Sequence, residues 1–138
     1  MFALTHDPID TVGIARRLQK PEDGALVIFE GVVRDNARGK SVRYLEYEAY
    51  ESMALKKIEE TGSLARTRFD IRDIAVVHRL GRMEIGECSI VIAVASAHRG
   101  PAFDACRFAI DTIKEIVPVW KKEFYEDGEV WIEGASKG

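Results

Sequence analysis

The nine residues from Cys88 to Ser96, CSIVIAVAS, are almost wholly apolar and rich in β-branched side chains. A run this short falls far below the roughly 18 apolar residues a membrane helix needs, and its composition reads as a central strand of a sheet. It breaks into small and cationic residues, Ala97-His98-Arg99-Gly100-Pro101, and then into a different period. Phe103, Cys106, Ile110, Ile113 and Val117 recur at helical spacing. Pro101 suits a first helical turn, and Pro118 ends the helix. A buried strand running straight into a long amphipathic helix demands a fold in which helices cover a sheet.

The remaining segments add strands and hairpins rather than a regular strand–helix–strand rhythm. Asp10 is placed to cap a short helix through Gln19 that buries Val12, Ile14, Ala15 and Leu18. Ala25 to Val33 (ALVIFEGVV) predicts a second buried strand. Past the polar loop Arg34 to Ser41, Val42 to Tyr50 alternates as a half-exposed strand, expected to lie antiparallel to its predecessor. Glu51 to Arg66 is rich in helix formers. Ile71 to His78 predicts a strand, joined to Cys88–Ser96 by a tight connection in which Gly81 and Gly86 flank Met83 and Ile85. Val119 to Tyr125 and Val130 to Glu133 flank Asp127-Gly128, a hairpin signal. The expected class is α+β with a mostly antiparallel sheet and flanking helices, folded as one domain over residues 1–138.

Composition narrows the function. A chain of 138 residues buries about two thirds of its unfolded surface, enough for a core without staples. MFALTHDPID has neither the basic start nor the apolar stretch of a secretion signal, so a cytoplasmic protein is expected. Two cysteines, Cys88 and Cys106, fall on apolar positions and make no metal knuckle or disulfide framework. His6, His78 and His98 lack metal-ligand spacing, and no phosphate-binding or dinucleotide-binding glycine motif occurs, so no metal and no cofactor is expected. The net charge of −3, with no paired aromatics on a basic strand, argues against nucleic acid.

Charge is nevertheless uneven. Arg34 to Arg43 carries four cations and one anion, and His98 to Lys122 carries five cations and three anions, against an acidic remainder. Two basic segments in an acidic body suit a small anionic ligand. Ser96-Ala97-His98-Arg99-Gly100-Pro101 combines small residues, a helix start and two cationic side chains, all suited to an anion. Lys114 shares a polar helix face with Arg107 and Asp111, where an ordinary Asp111–Lys114 pair is expected. On the following strand Lys121 shares a face with Val119 and Tyr125, and Lys122 with Trp120 and Phe124, so one lysine projects from a partly apolar surface. Cations converging on one pocket would depress a lysine and ready it for acid–base or nucleophilic work. A non-catalytic module that binds a phosphorylated metabolite shares these features.

Four ordered motifs, GVVRDNARGKSVRYLEYEAYESMA (Gly31–Ala54), VVHRLGRMEIGE (Val76–Glu87), SAHRGPAF (Ser96–Phe103) and IKEIVPVWKKE (Ile113–Glu123), closely resemble the large, catalytic subunits of molybdopterin synthase, the MoaE family. The resemblance implies an α/β hammerhead fold. It implies a homodimer that binds two small ubiquitin-like sulfur-carrier subunits, a heterotetramer in all. The carrier's C-terminal Gly-Gly, as a thiocarboxylate, would supply sulfur to a pterin phosphate substrate, cyclic pyranopterin monophosphate. On this resemblance the catalytic lysines fall on Lys114 and Lys121, and the substrate-binding residues on Arg34, His98, Arg99, Lys114, Lys121, Lys122 and Glu123.

Overall fold

The structure, a computed structural model, describes residues 1–134. Its strands are β1 (Phe2–Thr5), β2 (Ala25–Val32), β3 (Asn36–Ala37), β4 (Lys40–Ala49), β5 (Asp73–Arg79), β6 (Gly81–Glu84), β7 (Cys88–Ser96), β8 (Val119–Tyr125) and β9 (Val130–Gly134). Its helices are α1 (Thr11–Leu18), α2 (Glu51–Arg68) and α3 (Arg99–Ile116). The class is α+β, as the sequence predicts. Two sheets form: one in the order β1-β5-β7-β2, the other in the order β3-β4-β8-β9 with β6 also on β4. Every pairing is antiparallel except that of β1 with β5.

The Cys88–Ser96 run becomes β7, and its apolar character has a clear cause. Ile90, Ile92 and Val94 face α2 and α3, where they join Ile58, Ile74, Val76, Ala105, Ala109 and Ile113 in the main core. Val91, Ala93 and Ala95 face the other way, against Ile14 and Leu18 of α1. A strand covered on both faces has no solvent side to mark with polar residues. Each fully buried Ile or Val adds about 2 kcal/mol of burial free energy. Helix α1 starts where Asp10 accepts a hydrogen bond from the Gly13 amide at 3.0 Å. The β8–β9 hairpin turns at Gly128, whose φ of +89° lies in the left-handed region that glycine adopts without strain.

Four expectations require correction. Val42–Ala49 does not pair with Ala25–Val32. β2 lies on β7 in the first sheet, whereas β4 organises the second between β6 and β8. As an edge strand β2 is not fully buried, and Ile28 and Val32 are exposed. The supposed tight connection at Gly81–Gly86 contains β6, which pairs with β4 and buries Met83 completely against Leu45 and Val33. On the helices, Val12 and Phe103 face solvent rather than the core. Strands β1 and β3 are too short to carry a readable period.

The strand-to-helix junction at Ser96 is fastened from two sides. The Gly24 amide donates to the Ser96 carbonyl at 3.0 Å, and the Ser96 hydroxyl donates to the Asp70 carbonyl at 3.1 Å. A Cβ on Gly24 would lie 2.3 Å from the Ala97 carbonyl oxygen, so only glycine allows this approach. Among the described residues no helix is long and apolar enough to cross a membrane.

Candidate active site

The C-terminal half of α3, strand β8 and the loop after β2 close over the first sheet around a cavity of about 270 Å³. Its rim is cationic: Arg34 from the loop, Lys114 from α3 and Lys121 from β8. Its wall and floor are apolar and neutral: Phe29, Ile90, Ile110 and Ile113, with Tyr47, His78 and Ser89 between them. A low-dielectric wall behind a ring of cations strengthens their hold on an anion.

Lys114 is half-buried here. Burial is the main force holding its ammonium below the ordinary lysine range; the Lys121 cation adds to this, Glu133 opposes it, and Arg34 contributes a further downward push. A depressed lysine releases and retakes a proton more readily near neutral pH. Asp111, expected as its partner, instead meets Arg107 at 3.7 Å, so the helix turns Lys114 toward the cavity and leaves that pair on the surface.

Strand alternation separates the remaining residues of the VWKKE motif. Lys121 stands opposite Tyr47 in the β4–β8 register and reaches the cavity. Lys122 points to the other face, where its Nζ lies 3.3 Å from Glu48, which also accepts from the Trp120 indole at 3.0 Å. Glu123 returns to the inner face but is buried. Arg38 donates to its carboxylate at 2.9 Å and Tyr125 at 3.2 Å. Neither Lys122 nor Glu123 lines the main cavity.

His98 and Arg99 lie elsewhere. His98 is the N-cap residue of α3, with its backbone N–H 3.4 Å from the Ser96 hydroxyl, and Arg99 is the first helical residue. Both are exposed. Fifteen residues of helix separate Arg99 from Lys114, about 22 Å of axial rise. The chain thus brings together Arg34, Lys114 and Lys121 and holds His98 and Arg99 at the opposite end of the same helix.

Sequence reasoning passed over Tyr47 and His78. Its one available signal was the period of β5, in which Ile74, Val76 and His78 share the inner face, so that a histidine occupies a core position. Burial pushes the Tyr47 phenol above its ordinary value. Among the described residues no group of His, Cys, Asp and Glu side chains is arranged to hold a metal ion.

The thiols have no activating surroundings. Burial pushes Cys106 up to about 11 and also raises Cys88. Replacing both with alanine is expected to cost about 1–3 kcal/mol of stability, read by denaturant unfolding, and to leave turnover of the folded variant unchanged. Lost turnover in a folded double variant would assign one of them a role in the chemistry.

A half-enclosed cationic pocket on a helix and strand, with an apolar floor, suits a protein that takes up a small anionic ligand. Comparison with known proteins makes this specific. The family model described as MoaE protein matches residues 4–116. The molybdopterin synthase catalytic subunit of Bacillus subtilis is 45% identical over 131 residues, covering 95% of this chain and 83% of its own. That of Thermoplasma volcanium is 45% identical, with 91% of each chain covered. The crystal structure of molybdopterin synthase from Staphylococcus aureus superposes with a TM-score of 0.91 at 40% identity, covering 96% of each chain. The chain belongs to the MoaE family, the catalytic subunits of molybdopterin synthase, and is a sulfurtransferase of molybdopterin formation.

Proposed function

We propose that this chain, as a single domain, transfers sulfur from the thiocarboxylated C-terminal Gly-Gly of a small ubiquitin-like carrier to cyclic pyranopterin monophosphate, building the molybdopterin dithiolene. The observation that carries the reading is the pairing of Lys114 with Lys121 and Arg34 over an apolar floor. Phosphate and thiocarboxylate are both anionic, which suits a rim of three cations. Arg34 holds the phosphate through its guanidinium. Lys114 orients the thiocarboxylate and moves protons during attack, and Lys121 neutralises developing charge. The raised thiols support delivery of sulfur by a partner rather than by a cysteine of this chain.

His98 and Arg99 enter this reading through a second copy. The 22 Å or so of α3 between Arg99 and Lys114 denies them to one pocket within one chain. A symmetric dimer resolves this by presenting His98 and Arg99 of the partner subunit to each cavity, and with two carriers it forms a heterotetramer. We further read the protein as cytoplasmic; both cysteines are free thiols, in keeping with a reducing compartment.

The direct test mixes purified protein with thiocarboxylated carrier and cyclic pyranopterin monophosphate, then measures molybdopterin. Product is expected in proportion to carrier, two sulfurs for each molybdopterin. A protein that binds the pterin without consuming thiocarboxylate would instead be a binding module.

A further inference from the structure

His78 sits near the end of β5 with its backbone paired on both sides, to Leu4 of β1 and to Ile90 of β7. It is only 5% exposed, and its ring meets Tyr47 edge-on with centroids 5.1 Å apart. Nδ1 lies 2.8 Å from the Arg79 carbonyl oxygen. A carbonyl only accepts, so in a neutral ring Nδ1 carries the proton and Nε2 presents its lone pair. No side chain or backbone group described here hydrogen-bonds to Nε2. His78 lines the cavity, and with Nδ1 engaged by the Arg79 carbonyl, Nε2 is the ring's remaining acceptor there.

A locked ring with one acceptor directed into a cavity needs a donor there, because a buried polar atom facing an apolar ligand carries a desolvation penalty. The ring remains neutral throughout the physiological range. Burial, joined by the Lys114 cation across the cavity, pushes it down to about 4, against the favourable Arg79 hydrogen bond. Among the described residues Tyr47 from β4, Lys114 from α3, Lys121 from β8 and Arg34 from the loop after β2 share the cavity with it, and a phenol and three cations do not favour a charged ring. The cavity is therefore divided: cations at the rim, and at the floor a neutral acceptor among Phe29, Tyr47 and Ile90.

We propose that His78 is a specificity residue for the substrate's heterocycle, its Nε2 accepting a hydrogen bond from a ring N–H while the cationic rim holds the anionic end. This deepens the function proposed above and rests on it. The subsite selects planar, N–H-bearing rings; it offers nothing to a phosphate.

The test compares His78→Phe, which keeps a flat ring and removes the acceptor, with His78→Gln, whose amide oxygen restores an acceptor near the Nε2 position. His78→Phe is expected to raise KM for cyclic pyranopterin monophosphate about 10-fold or more with kcat changed far less, and His78→Gln to recover most of that loss. In the wild-type chain, the histidine Nε2 resonance in 15N spectra should move on addition of unphosphorylated pterin and not on addition of inorganic phosphate. If the wild type binds pterin, and His78→Phe binds it equally well or the Nε2 resonance stays fixed, the role of His78 is overturned while the function stands. If the wild type binds no pterin, both fall. A His78→Phe variant that does not fold leaves the decision to the Nε2 resonance and to the His78→Gln kinetics.

Discussion

Lys114→Ala lowers the single-turnover rate of sulfur transfer by about 10²-fold or more and leaves carrier binding nearly unchanged. The ammonium sits half-buried between two other cations and is held below its ordinary range, so its ground state is already costly to maintain charged. Such a group is suited to releasing a proton as the thiocarboxylate attacks and recovering it as the carrier departs. Arg34→Ala should behave differently, weakening substrate binding first, because a guanidinium holds phosphate in the ground state as well. Lys114→Arg isolates the proton from the charge. It keeps a cation in place but does not deprotonate near neutral pH, and it should rescue little. Rapid-quench measurement on variants checked by circular dichroism and carrier pull-down reads all three. Near-normal turnover in Lys114→Arg would reduce Lys114 to a fixed charge; near-normal turnover in Lys114→Ala would remove it from the chemistry.

Mixed dimers give the second large effect. A homodimer of Lys114→Ala lacks the lysine in both cavities, and a homodimer of the His98→Ala/Arg99→Ala double variant lacks both N-terminal side chains of α3. Both should be nearly inactive at substrate concentrations below KM. A heterodimer purified through two different tags holds one cavity with every group intact and one with all of them missing. It should regain about half of the wild-type rate per dimer. That recovery requires the partner subunit's His98 and Arg99 at the working cavity. A heterodimer as inactive as its parents would show that each chain uses only its own residues, or that the two ends of α3 serve different sites.

The sequence was most legible where a single face decided the residue pattern. β7 was recognisable over its whole length because both of its faces are covered, and α3 because one stripe of it is. The lysines were legible as a pair on successive elements, and β-strand alternation left one of Lys121 and Lys122 to face inward. Sheet membership was not legible. β2 and β4 are consecutive and both strand-like, but which partner each takes depends on contacts between residues far apart, Ile28 with Ala93 and Tyr47 with Lys121. Distance along α3 was readable in principle, at 1.5 Å per residue, and it was the grouping of His98 with Lys114 by motif that concealed it. His78 was hidden for another reason: a histidine in an apolar strand resembles a satisfied core residue until the cavity beside it is known.

Arg38 holds its place with φ of 53°, donates to Glu123 at 2.9 Å, reaches Glu133 of β9 at 3.1 Å and lies 4.2 Å from the centre of the Trp131 ring. Five residues earlier, the other end of the same loop is pinned as Val33 exchanges backbone hydrogen bonds with Glu87 and Gly86, at 3.0 and 2.8 Å. Arg34 emerges next to that anchored end. The span between the two moorings, Asp35 to Ala37, can therefore change in sequence without displacing the guanidinium beside the cavity. Divergence among related chains has room there to reshape the entrance for a differently sized visitor while the chemistry behind it stays as it was.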